Sequence, residues 1–295
     1  MNMMLGVSAK ETITADQLSV LLQILTPESA GESRTQATQD MPYLGLSLHQ
    51  NQVAHIFKGQ PLKAAPFLKA EQYAPAQTAL IQLELAPATP HTNYADNVPF
   101  ERELGGRSWT FIHDSALKTL SHLDLKDFHP LGTTAAEYAF CLLLDAIKPF
   151  ILKNGQIANP QGLLEQLSET TSRITKNGHF NYILTNGTYL FAHSHTRLDV
   201  LFSPITHDSQ TQQICLIASQ QMTDDELWSC LLPHALTMIT EGQIRGQTAT
   251  KNPASQADWQ QQTIKFGTIE TWMQQNSHTR RQRFARGNSH LYESS

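Results

Sequence analysis

The sequence predicts an α+β fold built largely from antiparallel sheets. Its apolar residues fall mostly in short runs, such as MMLGVSA at 3–9 and QTALIQLELA at 77–86, which are typical of strands. Asn186 and Gly187 separate two such runs, and this dipeptide is a strong signal for a β-hairpin. Helical spacing is confined to a few segments, so strands in sets with a few helices are expected.

Helices are predicted where apolar residues recur every three or four positions. The clearest case is TAAEYAFCLLLDAIK at 134–148, where Thr134 is a candidate N-cap and Glu137 completes a capping box. A second helix is expected at 160–174, and residues 15–26 also repeat apolar residues at helical spacing.

The other apolar runs are expected to be strands bounded by turn residues. In chain order they are a hairpin at 43–58 with its turn at 49–52, and strands at 109–114, 179–187, 187–195, 197–204, 212–221 and 236–244. A short helical turn is expected at 223–231, and loops are expected at 28–41 and 86–99.

Composition limits the classes of function. The chain has 295 residues, enough for one large domain or two small ones, and its net charge is −5. This acidic balance gives no reason to expect a nucleic-acid partner, and the basic run at 280–286 is interpreted as a solvated tail. No basic segment precedes an apolar run at the start, and no stretch approaches the ~20 apolar residues of a membrane span. A soluble, cytoplasmic protein without membrane contact is therefore expected.

Cysteine and histidine spacing gives no strong metal signal. Cys141 and Cys215 lie in apolar runs and are expected to be buried free thiols, and no CxxC pair occurs. His193 and His195 are two residues apart on a predicted strand, as ligands of a metal would be, but no third ligand follows from the spacing. We interpret them as a surface pair and expect neither a metal nor another cofactor.

Five blocks of sequence, in order, carry a family resemblance. They are MNMMLGVSA at the start, PFERELGGRSWTFIHDSAL at 99–117, FHPLGTTAAEYAFCLLLDAI at 128–147, FNYILTNGTYLFAH at 180–193 and LIASQQMTDDELWSCLLPHALTMITEGQI at 216–244. Together they resemble the short stand-alone branch of the class II glutamine amidotransferases. The first block is similar to that branch's Met-Cys-x-Leu-Leu-Gly-x-Ser-Ala start, and the second is similar to its His-Pro-Phe-x-Arg run, which continues to His-Asn-Gly.

The resemblance implies a four-layer αββα sandwich of the N-terminal nucleophile hydrolase type. A domain at 1–248 is then expected, with a C-terminal extension at 249–295 that is partly helical or disordered. The implied chemistry is hydrolysis of the glutamine amide by an N-terminal cysteine, whose own α-amine is the general base. Donor groups would hold the oxyanion, and an arginine and an aspartate would hold the substrate's α-carboxylate and α-amine.

When the family's motifs are placed on this sequence position by position, their catalytic and substrate-binding residues are missing. The nucleophile position falls on Asn2, whose carboxamide is not a nucleophile at neutral pH. Counting back from Pro99 without a gap, the His-Ile-Arg strand becomes Leu83, Glu84 and Leu85, so the arginine is a leucine.

The oxyanion and amine positions differ in the same way. The His-Asn-Gly stretch is His113, Asp114 and Ser115, which places a carboxylate where negative charge would develop. His113 matches a scaffold histidine and is expected to be packed and hydrogen-bonded. The aspartate position is Ala135, and of the family's Asp-Gly-Trp-Gly loop only Gly45 remains.

Scaffold positions, in contrast, match the family. They are Pro99, Phe100, Arg102, Gly106, Arg107, Trp109, His113, Gly132, Glu137 and Phe140. The pattern favours a pseudoenzyme: an amidotransferase-like protein without glutaminase activity. It would be a binding or regulatory subunit that pairs with an active homologue or another pathway enzyme, or that self-associates. Two alternatives stay open: a remodelled pocket for a different amide or amine ligand, and a glutaminase that uses another nucleophile.

Overall fold

Two antiparallel sheets form the core of the protein. The computed structural model describes residues 2–14, 17–18, 21, 43–59, 76–84, 93–207, 210–222 and 228–250. The strands in this part of the chain are β1 (Asn2–Ile13), β2 (Tyr43–Gln50), β3 (Val53–Gly59), β4 (Ala76–Glu84), β5 (Phe100–Leu104), β6 (Arg107–Leu117), β7 (Gly178–Thr185), β8 (Leu190–Ser194), β9 (Asp199–His207), β10 (Gln210–Ala218), β11 (Ser229–Cys230), β12 (Ala235–Thr240) and β13 (Gln243–Ala249).

The first sheet has seven strands in the order β11-β9-β10-β1-β4-β2-β3. The first strand of the chain lies inside it, because Leu5 pairs with Ala218 on one side and with Ile81 on the other. The predicted hairpin at 43–58 is confirmed, with Asn51 and Gln52 as its turn.

The second sheet has six strands in the order β13-β12-β8-β7-β6-β5. The predicted hairpin at Asn186 and Gly187 is also confirmed, since these residues connect β7 to β8 and Gly187 has a φ of 85°. A positive φ at this position explains why glycine is needed there. The α+β class with antiparallel sheets is thus confirmed.

The two sheets pack face to face. Gly6 of β1 lies against Ile183 and Leu190 of the second sheet, so close that a Cβ at residue 6 would be 3.1 Å from the Ile183 side chain. A buried polar bridge also joins the sheets, because Thr110 Oγ1 lies 3.1 Å from Ser47 Oγ and 2.7 Å from His49 Nε2. These contacts identify the inner face of β6 as the one that carries Thr110.

Two helices cover the outer face of the six-stranded sheet. They are α1 (Ala135–Ile147) and α2 (Pro160–Ile174), as the sequence predicts. Phe140 of α1 stacks on Phe111 of β6 with ring centroids 5.2 Å apart. On the outer face of the seven-stranded sheet, the helical residues Leu18 and Leu21 join an apolar cluster with β1, β2 and β4.

The structure corrects three predictions of local structure. Ser229 and Cys230 form a strand rather than part of a helical turn, because they pair with Val200 and Asp199. The expected single strand at 236–244 is a hairpin of β12 and β13. The capping box is only half formed, because Thr134 Oγ1 accepts the Glu137 N–H but the Glu137 carboxylate bonds elsewhere.

That carboxylate is the centre of a buried polar group. Glu137 is 1% exposed and accepts hydrogen bonds from Arg102 Nη2 and from the N–H groups of Leu131 and Gly132. A buried charge is tolerated when it is paired and fully hydrogen-bonded. Glu137 therefore fastens α1 to β5 and to the loop that precedes the helix.

Several predictions fall outside the described residues. They are the loop at 28–41, most of the helix at 15–26 and nearly all of the extension at 249–295. Contacts divide the chain into Met1–Lys251 and Asn252–Ser295. Neither α1 nor α2, the helices of the described part, has the length and apolar character needed to cross a membrane.

We predict that Glu137→Gln lowers the free energy of unfolding by about 3 kcal/mol, because it breaks an ion pair whose carboxylate is fully buried and whose guanidinium is largely buried. Urea denaturation at pH 7 measures this loss. The matched control is Asp127→Asn, which removes a half-exposed ion pair with Lys148 and should cost less than about 1 kcal/mol because solvent screens the pair. Equal losses in the two variants would contradict a central role for Glu137.

Candidate functional site

The candidate site lies at the end of the sandwich where β1 begins and β6 approaches its end. Asn2 pairs with Glu84 in the β1–β4 ladder, and Met4 pairs with Gln82. The His113 N–H donates to Gln82 Oε1 over 3.0 Å and so links the second sheet to β4 at this point. Asn2 and Asp114 are therefore both near the same end of the sandwich.

Asp114 lies on the inner face of β6. It alternates with Ile112 and Thr110, which point toward the other sheet, and it pairs with Asn181 of β7. Its Oδ2 lies 3.7 Å from His179 Nε2, and the two side chains are 39% and 30% exposed. Asp114 thus places a partly hydrated carboxylate at the mouth between the sheets.

His113 faces the helical layer instead. Its ring stacks on Phe100 and Phe111 with centroid distances of 6.0 and 5.9 Å, and its Nδ1 lies 2.9 Å from Ser115 Oγ. Although part of the side chain reaches the surface, desolvation lowers the pKa of His113 to about 4. The histidine is therefore neutral, packed and hydrogen-bonded, as expected from its scaffold position.

Leu83 lies away from Asp114. It pairs with Met3 and Leu44 and is fully buried in the apolar cluster on the outer face of the seven-stranded sheet. Because side chains alternate along a strand, Gln82 and Glu84 face the opposite way, toward the second sheet. The structure does not bring Leu83 together with Asp114, and Leu85 lies outside the described residues.

Ala135 is the first residue of α1 and is half-buried. The loop before it is held by Asp96, whose Oδ1 accepts the N–H of Thr133 over 2.6 Å. Gly132 lies between Asp96 and Glu137 where a Cβ would collide with a carboxylate oxygen. The methyl group of Ala135 itself offers no polar atom to a ligand.

A cluster of imidazoles beside Asp114 was not predicted. The His195 ring centroid lies 5.3 Å from that of His179, 6.2 Å from His193 and 5.1 Å from His234. These residues come from β7, the end of β8 and the start of β12, so no spacing in the sequence indicates the cluster. In the described ranges, no three His, Cys, Asp or Glu side chains are arranged to hold a metal ion.

The interpretation of His193 and His195 as a surface pair is wrong. His193 is fully buried, its Nδ1 lies 2.7 Å from the carbonyl oxygen of Phe180, and its ring stacks on Tyr182. Desolvation lowers the pKa of His193 to about 3. A small hairpin strand can bury both of its faces, which the alternation of residues alone does not reveal.

The sequence match defines the family. Residues 45–208 match the family model of the class-II glutamine amidotransferases, which is more than half of the 295-residue chain. The chain therefore belongs to the class II glutamine amidotransferase family. The matched range contains Leu83, Asp114 and Ala135 and begins after Asn2.

Curated relatives agree with this assignment. The chain is 25% identical over 208 residues to "Putative glutamine amidotransferase YafJ" of Escherichia coli, with 64% of this chain and 81% of that protein covered. It is also 32% identical over 106 residues to a Haemophilus influenzae protein of the same description. The second match spans 36% of this chain and 35% of that relative.

Solved structures share the fold at lower identity. A "predicted glutamine amidotransferase" from Pseudomonas aeruginosa superposes with a TM-score of 0.58 at 20% identity, over 82% of this chain and 99% of that one. The glutamine phosphoribosylpyrophosphate amidotransferase of Bacillus subtilis gives 0.52 at 14% identity, over 84% of this chain and 49% of that one. The expected N-terminal nucleophile hydrolase fold is thereby confirmed.

We predict that the protein loses stability in mild acid because of its buried neutral histidines. Burial lowers the pKa of His49 and of His193 to about 3 from an ordinary value of 6.5. The unfolded chain then binds more protons between these values, so the free energy of unfolding is highest above pH 6.5 and falls toward pH 3. Each group contributes at most about 1.4 kcal/mol per pH unit.

Urea denaturation between pH 5 and pH 7.5 measures how the free energy of unfolding changes with pH. His193→Phe removes one titrating imidazole and should lower this slope by the contribution of one proton. The control is Thr171→Val, which removes the hydroxyl that contacts Tyr182 Oη and introduces no titrating group. This control should lower stability equally at each pH. An unchanged slope in His193→Phe would disprove the assignment.

Proposed function

We propose that this class II glutamine amidotransferase-like protein lacks glutaminase activity and acts as a binding or regulatory subunit. The observation that carries the proposal is Asp114. Its carboxylate lies on the inner face of β6, at the position where the family's motif has an amide donor to the oxyanion. A carboxylate at this position opposes the glutamine hydrolysis that the family resemblance implies.

A carboxylate at the oxyanion position has the wrong sign of charge for this reaction. Attack on the glutamine amide creates an oxyanion, and one side-chain donor to such an oxyanion is worth about 10²- to 10³-fold in rate. A carboxylate at that place has the opposite sign and repels the developing charge. The neighbouring His179 imidazole at 3.7 Å offsets little of this repulsion, because both side chains are partly hydrated.

The other chemical positions support the same conclusion. Asn2 offers no nucleophilic atom, and Ala135 offers no carboxylate for the substrate's amine. Leu83 belongs to the outer apolar cluster. The scaffold is retained nonetheless, which supports a role that depends on the shape of the domain, such as binding an active homologue, a pathway enzyme or a second copy.

We predict that the purified chain releases no ammonia from glutamine above the buffer rate. Asn2→Cys should remain inactive as well, because a thiol alone restores neither the oxyanion donor nor the grip on the substrate. A coupled ammonia assay with an active glutaminase as positive control measures this, and circular dichroism verifies that both proteins are folded.

Saturable ammonia release by the unmodified chain would end the proposal. The subunit role is tested separately by isolating the chain from its native cells at natural abundance. We expect one of two outcomes. Either a second protein co-purifies in an amount equal to this chain, or the chain itself forms an oligomer. A monomer without a partner would contradict this part.

A second candidate function rests on the exposure of Asp114. A carboxylate that is 39% exposed and lies beside an imidazole can bind the cation of an amine ligand at the remodelled mouth. We predict that one or more small primary amines or amides raise the melting temperature, and that Asp114→Asn abolishes the shift. Asp124→Asn, at an exposed carboxylate elsewhere, is the matched control. The absence of any shift across the panel would rule this function out.

A further inference from the structure

A second cleft lies at the opposite end of β6 from Asp114. Arg107 begins the strand, seven positions before Asp114, which corresponds to ~23 Å along an extended strand. The cleft has a volume of about 320 Å³ and lies between the turn at 186–189 and the segment at 155–157. No residue that the resemblance associates with glutamine lines it.

The walls of the cleft are held by their own hydrogen bonds. In the 186–189 turn, Asn186 Oδ1 accepts the N–H groups of Thr188 and Tyr189. On the other wall, Asn154 Oδ1 accepts the N–H of Gln156, and Asn154 Nδ2 donates to Gln156 Oε1. These hydrogen bonds fix both walls of the cleft, so that binding a ligand requires little further ordering.

Charge in the cleft has one sign. Arg107 is the only ionisable lining residue with a charge at pH 7, and no described carboxylate forms an ion pair with it. Its Nη1 donates to Thr188 Oγ1 over 3.2 Å, while its buried Nε has no acceptor among the described residues. An unsatisfied buried donor is unfavourable, and an incoming acceptor that reorients the guanidinium can relieve part of this cost.

The neutral lining groups are also suited to donate. Thr188 Oγ1 already accepts from Arg107, so its proton is free for a ligand. Gln156 Oε1 accepts from Asn154 Nδ2, which leaves Gln156 Nε2 available to donate to a ligand. One guanidinium surrounded by hydrogen-bond donors is the arrangement that recognises an oxyanion.

We propose that this cleft binds a small ligand through a phosphate or carboxylate group, with Arg107 as the main contact. The volume is at the lower limit of small-molecule pockets, which span about 300–1,000 Å³, so the ligand is small. Ligand binding in this cleft does not require glutaminase activity at the candidate site near Asp114. It gives the domain a means of responding to a metabolite at a place remote from the candidate active site.

Isothermal titration of the full chain with inorganic phosphate, sulfate, acetate and citrate tests the proposal. We expect at least one anion to bind saturably, and preference within the set distinguishes a phosphate group from a carboxylate group. Arg107→Gln should weaken that binding about tenfold or more, because it removes the charge from the main hydrogen-bond donor. Arg173→Gln, at an exposed arginine on α2, should leave it unchanged.

Thr188→Val is the second variant, because Arg107 could matter for folding. Thr188 is exposed, so its loss should leave the melting temperature unchanged and still weaken the anion severalfold. The proposal is overturned if no anion binds at millimolar concentration. It is equally overturned if Arg107→Gln, shown to be folded, binds the anion as tightly as Arg173→Gln does.

Discussion

The described domain depends on a buried ion, the carboxylate of Glu137. A fully buried carboxylate is costly unless donors surround it, and here one guanidinium and two backbone N–H groups do so. These hydrogen bonds fix the start of α1, the preceding loop and the edge strand β5 relative to one another. It also requires Gly132, because a Cβ there would collide with Asp96. The charge therefore determines a local geometry that no apolar residue could specify as uniquely.

The residues that stabilise the core on the helical side lie apart from Asp114 of the candidate site. Glu137, Phe111 and Phe140 lie on the helical side of the six-stranded sheet, whereas Asp114 faces the other sheet. Polar groups at the mouth between the sheets can change without opening a cavity in the main core. The sequence shows this division as retained scaffold positions beside altered chemical ones. For Asp114 the structure gives the physical reason, because this partly exposed residue lies at the mouth and apart from the core on the helical side.

Local patterns predicted local structure well. The helix at 160–174 and both hairpins followed from periodicity and turn residues such as the Asn-Gly pair, because neighbouring residues determine these features. The imidazole cluster could not be predicted, because three separate strands and a sheet order bring it together. The same holds for Leu83, whose face depends on the register between β1 and β4. Glu137 was expected to complete a capping box, and only the packing of β5 against α1 shows its larger role.

The position of β1 within its sheet has a consequence for how the chain is made. The Met4 N–H bonds to Ser219 Oγ, 215 positions later, and the adjacent ladder to β10 is equally distant in sequence. On the ribosome, the first strand therefore leaves the exit tunnel long before one of its two neighbours exists. Contacts of such separation make folding slow and leave one edge of β1 exposed to other chains meanwhile. Folding of this domain is thus completed by its last third, and a translation product that stops before β10 would leave one edge of β1 unpaired.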